Sequence, residues 1–176
     1  MTGRIYPDEP AGPFPGPPRE MDDAEGRRIT FEVVEDADTE PIVEMYVAFD
    51  PADRAQGIPP SQEDRIRSWL DTLLEEGLNV LAWDDEDVVG HAVLMPDDDG
   101  WELAIFVNQP YQGAGIGTEL IQTLLGYGAE EGVDRVWLTV ERWNRPAIAL
   151  YKSVGFEPSD AESFEMEMSL LLAGVE

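Results

Sequence analysis

A glycine-rich turn joins a strand pattern to an amphipathic helix in the second half of the chain. The strand covers residues 101–107, the turn contains Gly113, Gly115 and Gly117, and the helix ends near Gly132. Glycine lets a backbone approach a ligand closely, and the first helical turn has N–H groups without internal partners. These donors and the helix dipole can bind an anion without any Lys or Arg. The sequence therefore predicts a pyrophosphate site at this turn.

Two familiar phosphate loops do not fit the residues. A Walker loop needs Gly-Lys-Ser/Thr, whereas Gly117 is followed by Thr118 and Glu119. A dinucleotide fingerprint needs a third glycine at its own spacing and an early parallel βαβ unit. Here the strands before the loop, at 79–83, 88–95 and 101–107, are joined by tight acidic turns, which is typical of an antiparallel meander.

Apolar periodicity predicts one continuous domain over residues 28–176. Ile29, Phe31 and Val33 alternate with polar residues as in a half-buried strand, and the helical patterns that follow carry apolar residues at a spacing of three to four. A short strand at 136–140, a helix at 145–154 and a final hairpin at 156–172 complete the chain. The predicted order is β α α β β β α β α β β.

Two motifs in this order resemble the GNAT superfamily of acyl-CoA N-acyltransferases. Residues 112–117, Gln-Gly-Ala-Gly-Ile-Gly, fit the family's Gln/Arg-x-x-Gly-x-Gly/Ala loop. Residues 144–156, Asn-x-x-Ala-x-x-Leu-Tyr-x-x-x-Gly-Phe, fit its C-terminal signature. The element order also matches the family over residues 28–172. The resemblance implies an α/β fold, with a mixed, mostly antiparallel sheet flanked by about four helices.

The resemblance also implies a binding site for acetyl-CoA. Backbone amides of the loop would bind the pyrophosphate; the residues concerned are Gln112, Gly113, Ala114, Gly115, Ile116, Gly117 and Thr118. The strand residues Ile105, Phe106 and Val107 would pair with the pantetheine arm, and one of their amides would polarise the thioester carbonyl. In the family this strand diverges from the next one and opens a wedge for the thioester. Asn144 would bind the pantetheine or the local backbone, and Tyr151 would contact CoA and protonate its departing thiolate.

The general base is less clearly marked. Several relatives have a Glu early in the strand before the loop, where this chain has Trp101, with Glu102 one residue later on the opposite face. Others have a Glu where this chain has Thr139, with Glu141 two residues on and on the same face. Both Glu102 and Glu141 are candidates for a base that acts through water. Structural roles are the alternative throughout: a solvated carboxylate for each Glu, packing for Tyr151 and a helix cap for Asn144.

Other polar and aromatic residues have weaker claims on the site. His91, the only histidine, is expected to be a packed strand residue, and Trp69 and Trp83 are expected in the core. Trp143 and Tyr46 are candidates to line an acceptor pocket. Arg54, in a loop-like segment at 50–60, could bind a substrate carboxylate or could be a surface charge.

Composition excludes several classes of function. The 176 residues contain 38 Asp and Glu, 11 Lys and Arg and no Cys, for a formal charge of −27. The absence of Cys removes disulfides, a thiol nucleophile and Cys-ligated metals, and no metal site is predicted. A phosphate backbone would be repelled, so nucleic acid is not an expected partner. The apolar runs are too short to span a membrane, and no secretory signal is visible.

The acids are spread over nearly every segment, and only one of the basic residues is Lys. Such a surface repels itself at low salt and is screened at molar salt, which favours adaptation to a salt-filled cytoplasm, in a halophilic source. An ordinary acidic protein is the alternative.

Residues 1–27 contain six prolines and form a separate Pro-rich arm, either mobile or, less expected, a strap that packs Tyr6 and Phe14 on the domain or on a second subunit.

The function expected from these observations is transfer of an acetyl or short acyl group from acetyl-CoA to a primary amine. The amine would attack the thioester directly, with no metal and no covalent enzyme intermediate. The alternative is a non-catalytic acyl-CoA-binding sensor or regulatory module; a nucleotide site at the loop is a third hypothesis. The expected partners are acetyl-CoA and an amine acceptor, and a homodimer is possible.

Overall fold

The computed structural model describes residues 5–54, 58–160 and 165–174. These parts of the chain contain nine strands and four α-helices. The strands are β1 (Pro10–Ala11), β2 (Arg19–Asp22), β3 (Arg28–Val33), β4 (Leu78–Asp84), β5 (Asp87–Asp97), β6 (Gly100–Val107), β7 (Arg135–Glu141), β8 (Glu157–Asp160) and β9 (Glu165–Leu172). The helices are α1 (Thr39–Val47), α2 (Glu63–Glu76), α3 (Ile116–Glu130) and α4 (Arg145–Val154). The element order from β3 onward is the predicted one.

All nine strands belong to one sheet in the order β1-β9-β7-β6-β5-β4-β3-β2, with β8 also paired to β9. The two pairs β1–β9 and β6–β7 are parallel and the other pairs are antiparallel. The short acidic turns produce the β4–β5–β6 meander, because a tight turn can join only antiparallel neighbours. The sheet is therefore mixed and mostly antiparallel, as predicted.

The two faces of the sheet bury two separate cores. Alternation along β6 directs Leu103, Ile105 and Val107 to the main core under α3 and α4, and Phe106 to a second core under α1 and α2. Trp69 and Trp83 pack against the second core, as expected. Each helix covers the sheet with one apolar stripe, so helices pack on both faces of the sheet.

The Pro-rich arm is part of the sheet. β1 pairs with β9 at one edge and β2 pairs with β3 at the other. Between them the chain crosses α3, where Phe14 packs on the main core and backbone atoms of Pro15 and Gly16 lie against Gly126. The mobile interpretation was therefore wrong for these residues, because apolar contacts and strand pairing both hold the arm. We refer to residues 5–24 as the belt.

Candidate active site

The strands β6 and β7 separate after two paired rows. Trp101 pairs with Val136 and Glu102 with Trp137, and no later residue of β6 pairs with β7. β6 nevertheless stays paired with β5 through Val107, and β7 stays paired with β9 through Glu141. The result is a wedge that opens toward the carboxyl ends of both strands. Ile105, Phe106 and Val107 lie on its β6 side, where the strand edge toward β7 is not used in the sheet.

The predicted pyrophosphate loop connects this open edge to α3. A 3-10 turn at Gln109–Tyr111 is followed by Gly113 and Gly115, whose φ angles are +70° and +91°. Glycine favours this left-handed region because a Cβ is strained there. Gly115 is the N-cap of α3 and no side chain caps the helix, so its first amides are available to a ligand.

The surroundings of the loop suit an extended anion. Nothing lies within 4 Å of the position that a Cβ would take at Gly113, so the loop faces open space there. Ala114 and Ile116 point into the protein and are buried, which turns backbone and not side chains outward. Gly117 lets α4 approach, since a Cβ would lie 3.1 Å from Leu150 Cδ1. These features fit the CoA pyrophosphate.

The Glu119 carboxylate, in the first turn of α3, would repel a bound anion, but it forms an ion pair with Arg19 of the belt. Glu119 Oε2 lies 2.7 Å from the Arg19 guanidinium, which also donates to Thr123 Oγ1 at 3.1 Å. The side chains of this ion pair are 24% and 32% exposed for Arg19 and Glu119. The pair reduces the repulsion that Glu119 would exert on a bound phosphate.

The side chain of Gln112 does not face the open side of the loop. Its Nε2 donates to Val107 O at 2.9 Å and to Asp53 Oδ2 at 3.0 Å. It therefore connects the end of β6 to the segment between α1 and α2. Thr118 lies half-buried in the first turn of α3.

The C-terminal signature places two residues on α4, beside the main core. Asn144 caps the helix by accepting a 3.3 Å hydrogen bond from Ala147 N, so the cap role considered from the sequence is present. Tyr151 is half-buried and its ring meets Phe156 edge-on, with 6.0 Å between ring centroids. Burial raises the pKa of Tyr151 to about 12. Its phenol is therefore protonated at neutral pH and can donate a proton.

The two candidate bases lie on the same face of the sheet but at different depths. Since Leu103 and Val140 point into the main core, Glu102 and Glu141 point to the opposite face. Glu102 sits in the last paired row at the closed end of the wedge, opposite Trp137. Glu141 is four residues further along β7, about 13 Å at the rise of a strand, where its carboxylate accepts a hydrogen bond from Trp143 Nε1.

Two of the weaker candidates, Tyr46 and Arg54, do not have the roles proposed from the sequence. Tyr46 is fully buried and bonded to His91, so it does not line an open acceptor pocket. Arg54 is neither a free carboxylate receptor nor a plain surface charge, because its guanidinium donates to the backbone oxygens of Tyr46, Phe49 and Pro59. His91 is a packed strand residue, as expected. Trp143 is 71% exposed and remains beside Glu141.

Sequence reasoning missed the side chains that support the loop from behind. Arg27 donates to Pro110 O at 3.1 Å and its guanidinium lies 4.0 Å from the Tyr111 ring centroid. Tyr111 donates to Asp84 at 2.6 Å. No local pattern marks these contacts, because they join residues 27, 84 and 111 through the fold.

The part of the chain described also has no cluster of three metal-ligating side chains and no helix long and apolar enough to cross a membrane.

Known proteins share parts of this sequence and the fold of this chain. The sequence profile of the Acetyltransferase (GNAT) family matches residues 39–156. Over 84 aligned residues the chain is 32% identical to mycothiol acetyltransferase of Corynebacterium glutamicum. The aligned region makes up 47% of this chain and 29% of that protein. The chain therefore spans less than a third of the length of this relative.

Two solved structures share the fold. The GNAT domain of S. lividans PAT aligns with a TM-score of 0.75 at 14% identity, over 88% of this chain and 97% of that one. PaiA N-acetyltransferase of Thermoplasma acidophilum, determined in complex with coenzyme A, aligns with a TM-score of 0.62 at 19% identity, over 81% of this chain and 98% of that one. The predicted fold class is confirmed.

Proposed function

Since the chain belongs to the Acetyltransferase (GNAT) family, we propose that it transfers an acetyl or short acyl group from acetyl-CoA to a primary amine. The observation that carries this proposal is the wedge between β6 and β7, which opens beside an uncapped helix N-terminus. The wedge offers an unpaired strand edge to the pantetheine arm, and the loop offers amides to the pyrophosphate. Acetyl-CoA supplies the acyl group as a thioester.

The reaction requires the chain to orient two substrates and to move protons. The neutral amine attacks the thioester carbonyl carbon, the C–N bond forms, and the C–S bond breaks. An amide from the Ile105–Val107 segment donates to the carbonyl oxygen as negative charge develops there. The amine loses one proton and the departing sulfur gains one, so the chain needs an acceptor and a donor of protons.

Tyr151 is the proposed proton donor. Its pKa of about 12 keeps the phenol protonated at the pH at which the thiolate forms. The hydroxyl is carried by α4, which packs against α3 close to the loop because Gly117 has no side chain. The packing of Tyr151 against the main core supports this role, because α4 and the main core lie on the same face of the sheet.

Glu102 and Glu141 are the proposed alternatives for the proton acceptor. A lysine-type amine has a pKa of about 10.4, so it must lose a proton before it attacks at neutral pH. Glu102 lies at the closed end of the wedge and Glu141 at its open end. Glu102→Gln and Glu141→Gln separate the two, because only the variant of the true base should lose kcat/KM near neutral pH and recover it as the pH rises toward the pKa of the amine.

Turnover in concentrated salt tests the proposal. The protein is incubated with acetyl-CoA and with polyamines, aminoglycosides or protein amines in about 2 M KCl, where surface charges are screened. The free thiol released is then measured. Amine-dependent thiol release that falls about 100-fold in Tyr151→Phe supports the enzyme. Tyr127→Phe is the control, because Tyr127 lies on α3 beside a cavity lined by Leu74 and Asn79 and away from α4. CoA binding without turnover on any amine favours the sensor instead.

We also propose that the protein works in a salt-rich cytoplasm. The charge of −27 is the observation that supports this setting. High salt would screen attraction between the acidic surface and a cationic acceptor, so the charge does not select the amine. A homodimer is compatible with the proposal and is tested by the molar mass in solution.

A further inference from the structure

We propose that Asp23 and Arg27, in the turn between β2 and β3, are positioning residues that hold the pyrophosphate loop in its CoA-binding shape. The inference rests on the proposed function, because it concerns the affinity of that same site. Neither residue belongs to the two motifs. They act from behind the loop, through its backbone and through Tyr111.

A direct link joins the turn to the middle of the loop. Ala24 N donates to Ala114 O at 3.0 Å. Ala114 stands between Gly113 and Gly115, the two loop residues in the left-handed region. The methyl group of Met21 lies 3.7 Å from the position that a Cβ would take at Gly115. The end of the belt therefore runs along the back of the loop and contacts it at its two central residues.

Asp23 fixes the shape of this turn. Its side chain has no exposed area, and its carboxylate accepts hydrogen bonds from Glu25 N at 3.0 Å, Arg27 N at 2.8 Å and Arg27 Nε at 2.7 Å. Burial acts to raise the pKa of Asp23, but the hydrogen bonds from Arg27 and Glu25 lower it overall. The carboxylate thus remains charged and orients both the turn and the Arg27 side chain.

Arg27 carries the constraint to the other side of Gly113. Its Nη1 donates to Pro110 O at 3.1 Å and its guanidinium lies over the Tyr111 ring. Tyr111 is held in turn by Asp84, whose hydrogen bond raises the pKa of the phenol to about 12. The loop is thus fixed just before Gly113, through Arg27, and just after it, through Ala24.

This arrangement matters because the loop is rich in glycine. A free glycine segment populates many backbone conformations, and a ligand must select one of them at a cost in conformational entropy. A loop that is fixed before binding avoids that cost, which raises affinity without altering the chemical step. Loss of the support should therefore weaken CoA binding and leave kcat unchanged.

The adjacent arginine provides a matched control. Arg28 carries the same charge one residue later, but its side chain pairs with Asp22 and Glu20 on the surface of the hairpin. Arg27→Met should raise the Kd for CoA about tenfold by calorimetry, keep kcat at saturating acetyl-CoA and speed hydrogen exchange of the amides at 112–118 in the ligand-free protein. Arg28→Met should change none of these quantities.

A third variant separates support from charge. Arg27→Lys keeps the positive charge near the loop but lacks the planar fork that binds Asp23 and Pro110 together. It should show the weak binding and fast exchange of Arg27→Met. Full recovery in Arg27→Lys, or equal effects of Arg27→Met and Arg28→Met, would overturn the inference. Failure of the wild-type protein to bind CoA would instead refute the proposed function, while exchange in the ligand-free protein would still test the support.

Discussion

The hydroxyl of Tyr46 and Nδ1 of His91 lie 2.6 Å apart inside the second core. On the other side of the ring, His91 Nε2 lies 2.7 Å from Asn79 Oδ1, while Asn79 Nδ2 donates to Leu73 O. An amide oxygen can only accept, so Nε2 carries the proton and Nδ1 accepts from Tyr46. Burial lowers the pKa of His91 to about 3, and the ring is neutral in the folded protein.

His91 therefore predicts how stability depends on pH. Below an unfolded pKa of about 6.5 the unfolded chain binds a proton that the folded protein does not, so the free energy of unfolding falls as pH falls. Between pH 7.5 and 5.5 the expected loss is about 1.4 kcal/mol. His91 is the only histidine. His91→Gln should flatten this dependence in denaturant titrations, and a wild-type curve that is already flat would contradict it.

Gly115 predicts the loss of CoA binding on substitution by Asp. A side chain is strained at φ +91°, and a carboxylate there would repel the pyrophosphate at the start of α3. Calorimetry in 2 M KCl, a salt range chosen to screen the surface, should show a Kd raised about 100-fold. Gly132→Asp is the control, because Gly132 has φ +90° and open space but lies beyond the other end of α3.

Replacing Gly126 by Ala should destabilise the protein, although the same change in a helix is usually stabilising. Replacing Gly by Ala within a helix normally stabilises by up to about 1 kcal/mol. A Cβ at Gly126 would lie 2.5 Å from the backbone carbon of Pro15 and 2.6 Å from Gly16 N. Gly126→Ala should therefore lower the free energy of unfolding by about 1–3 kcal/mol, because the belt must move. Gly174→Ala, which meets nothing within 4 Å, should have little effect.

Salt should stabilise the protein. The screening length falls from about 10 Å at 0.1 M to about 3 Å at 1 M, which weakens repulsion among the acidic side chains. Thermal unfolding in KCl should show Tm rising by about 2–4 °C for each kcal/mol gained. A variant with amides at four exposed acids, Glu75, Glu86, Asp98 and Glu131, should show a shallower rise. Equal slopes would argue against charge repulsion as the cause.

The raised pKa of Tyr151 predicts that kcat does not fall in mildly alkaline solution. A donor with a pKa of about 12 stays protonated below about pH 11, so its ionisation should not reduce kcat between pH 8 and 10. Measured with acetyl-CoA and a reactive amine, kcat should hold level over this range. A decline near pH 9 that disappears in Tyr151→Phe would show that the phenol ionises much more easily than its burial implies.

Much of the fold could be predicted because its signals are local. Alternation in β3, the acidic turns of the meander and the glycines around α3 each specify one element or one junction. The motif at 112–117 likewise located the loop, because a backbone site depends on which residues lack side chains. Along β6 and β7, the pairing that stops after Glu102 and Trp137 agrees with the wedge that the resemblance implied.

The belt and the contacts of Arg54, Arg27 and Tyr46 could not be predicted in the same way. Prolines in residues 7–18 argue against regular structure, yet single residues such as Pro10 can occupy a sheet edge, where no amide donor is required. Arg54 donates to Pro59 O and Arg27 donates to Pro110 O, and backbone oxygens such as these carry no mark in the sequence. The partner of Tyr46 also depends on how α1 packs over β5, a long-range relationship that periodicity does not encode.

The parallel pairing of β1 with β9 also sets the order in which the molecule can be completed. Pro10 pairs with Leu171, so β1 cannot take its place in the sheet until β9, which follows much later in the sequence, has left the ribosome. Until then β1 has no strand to pair with, and strand pairing holds the segment that crosses α3 only at its β2 end. The pairing of β1 with β9 is consequently a late event in biosynthesis, and a variant that lacks β1 would leave the β9 edge at Leu171 and Leu172 free to pair with other molecules.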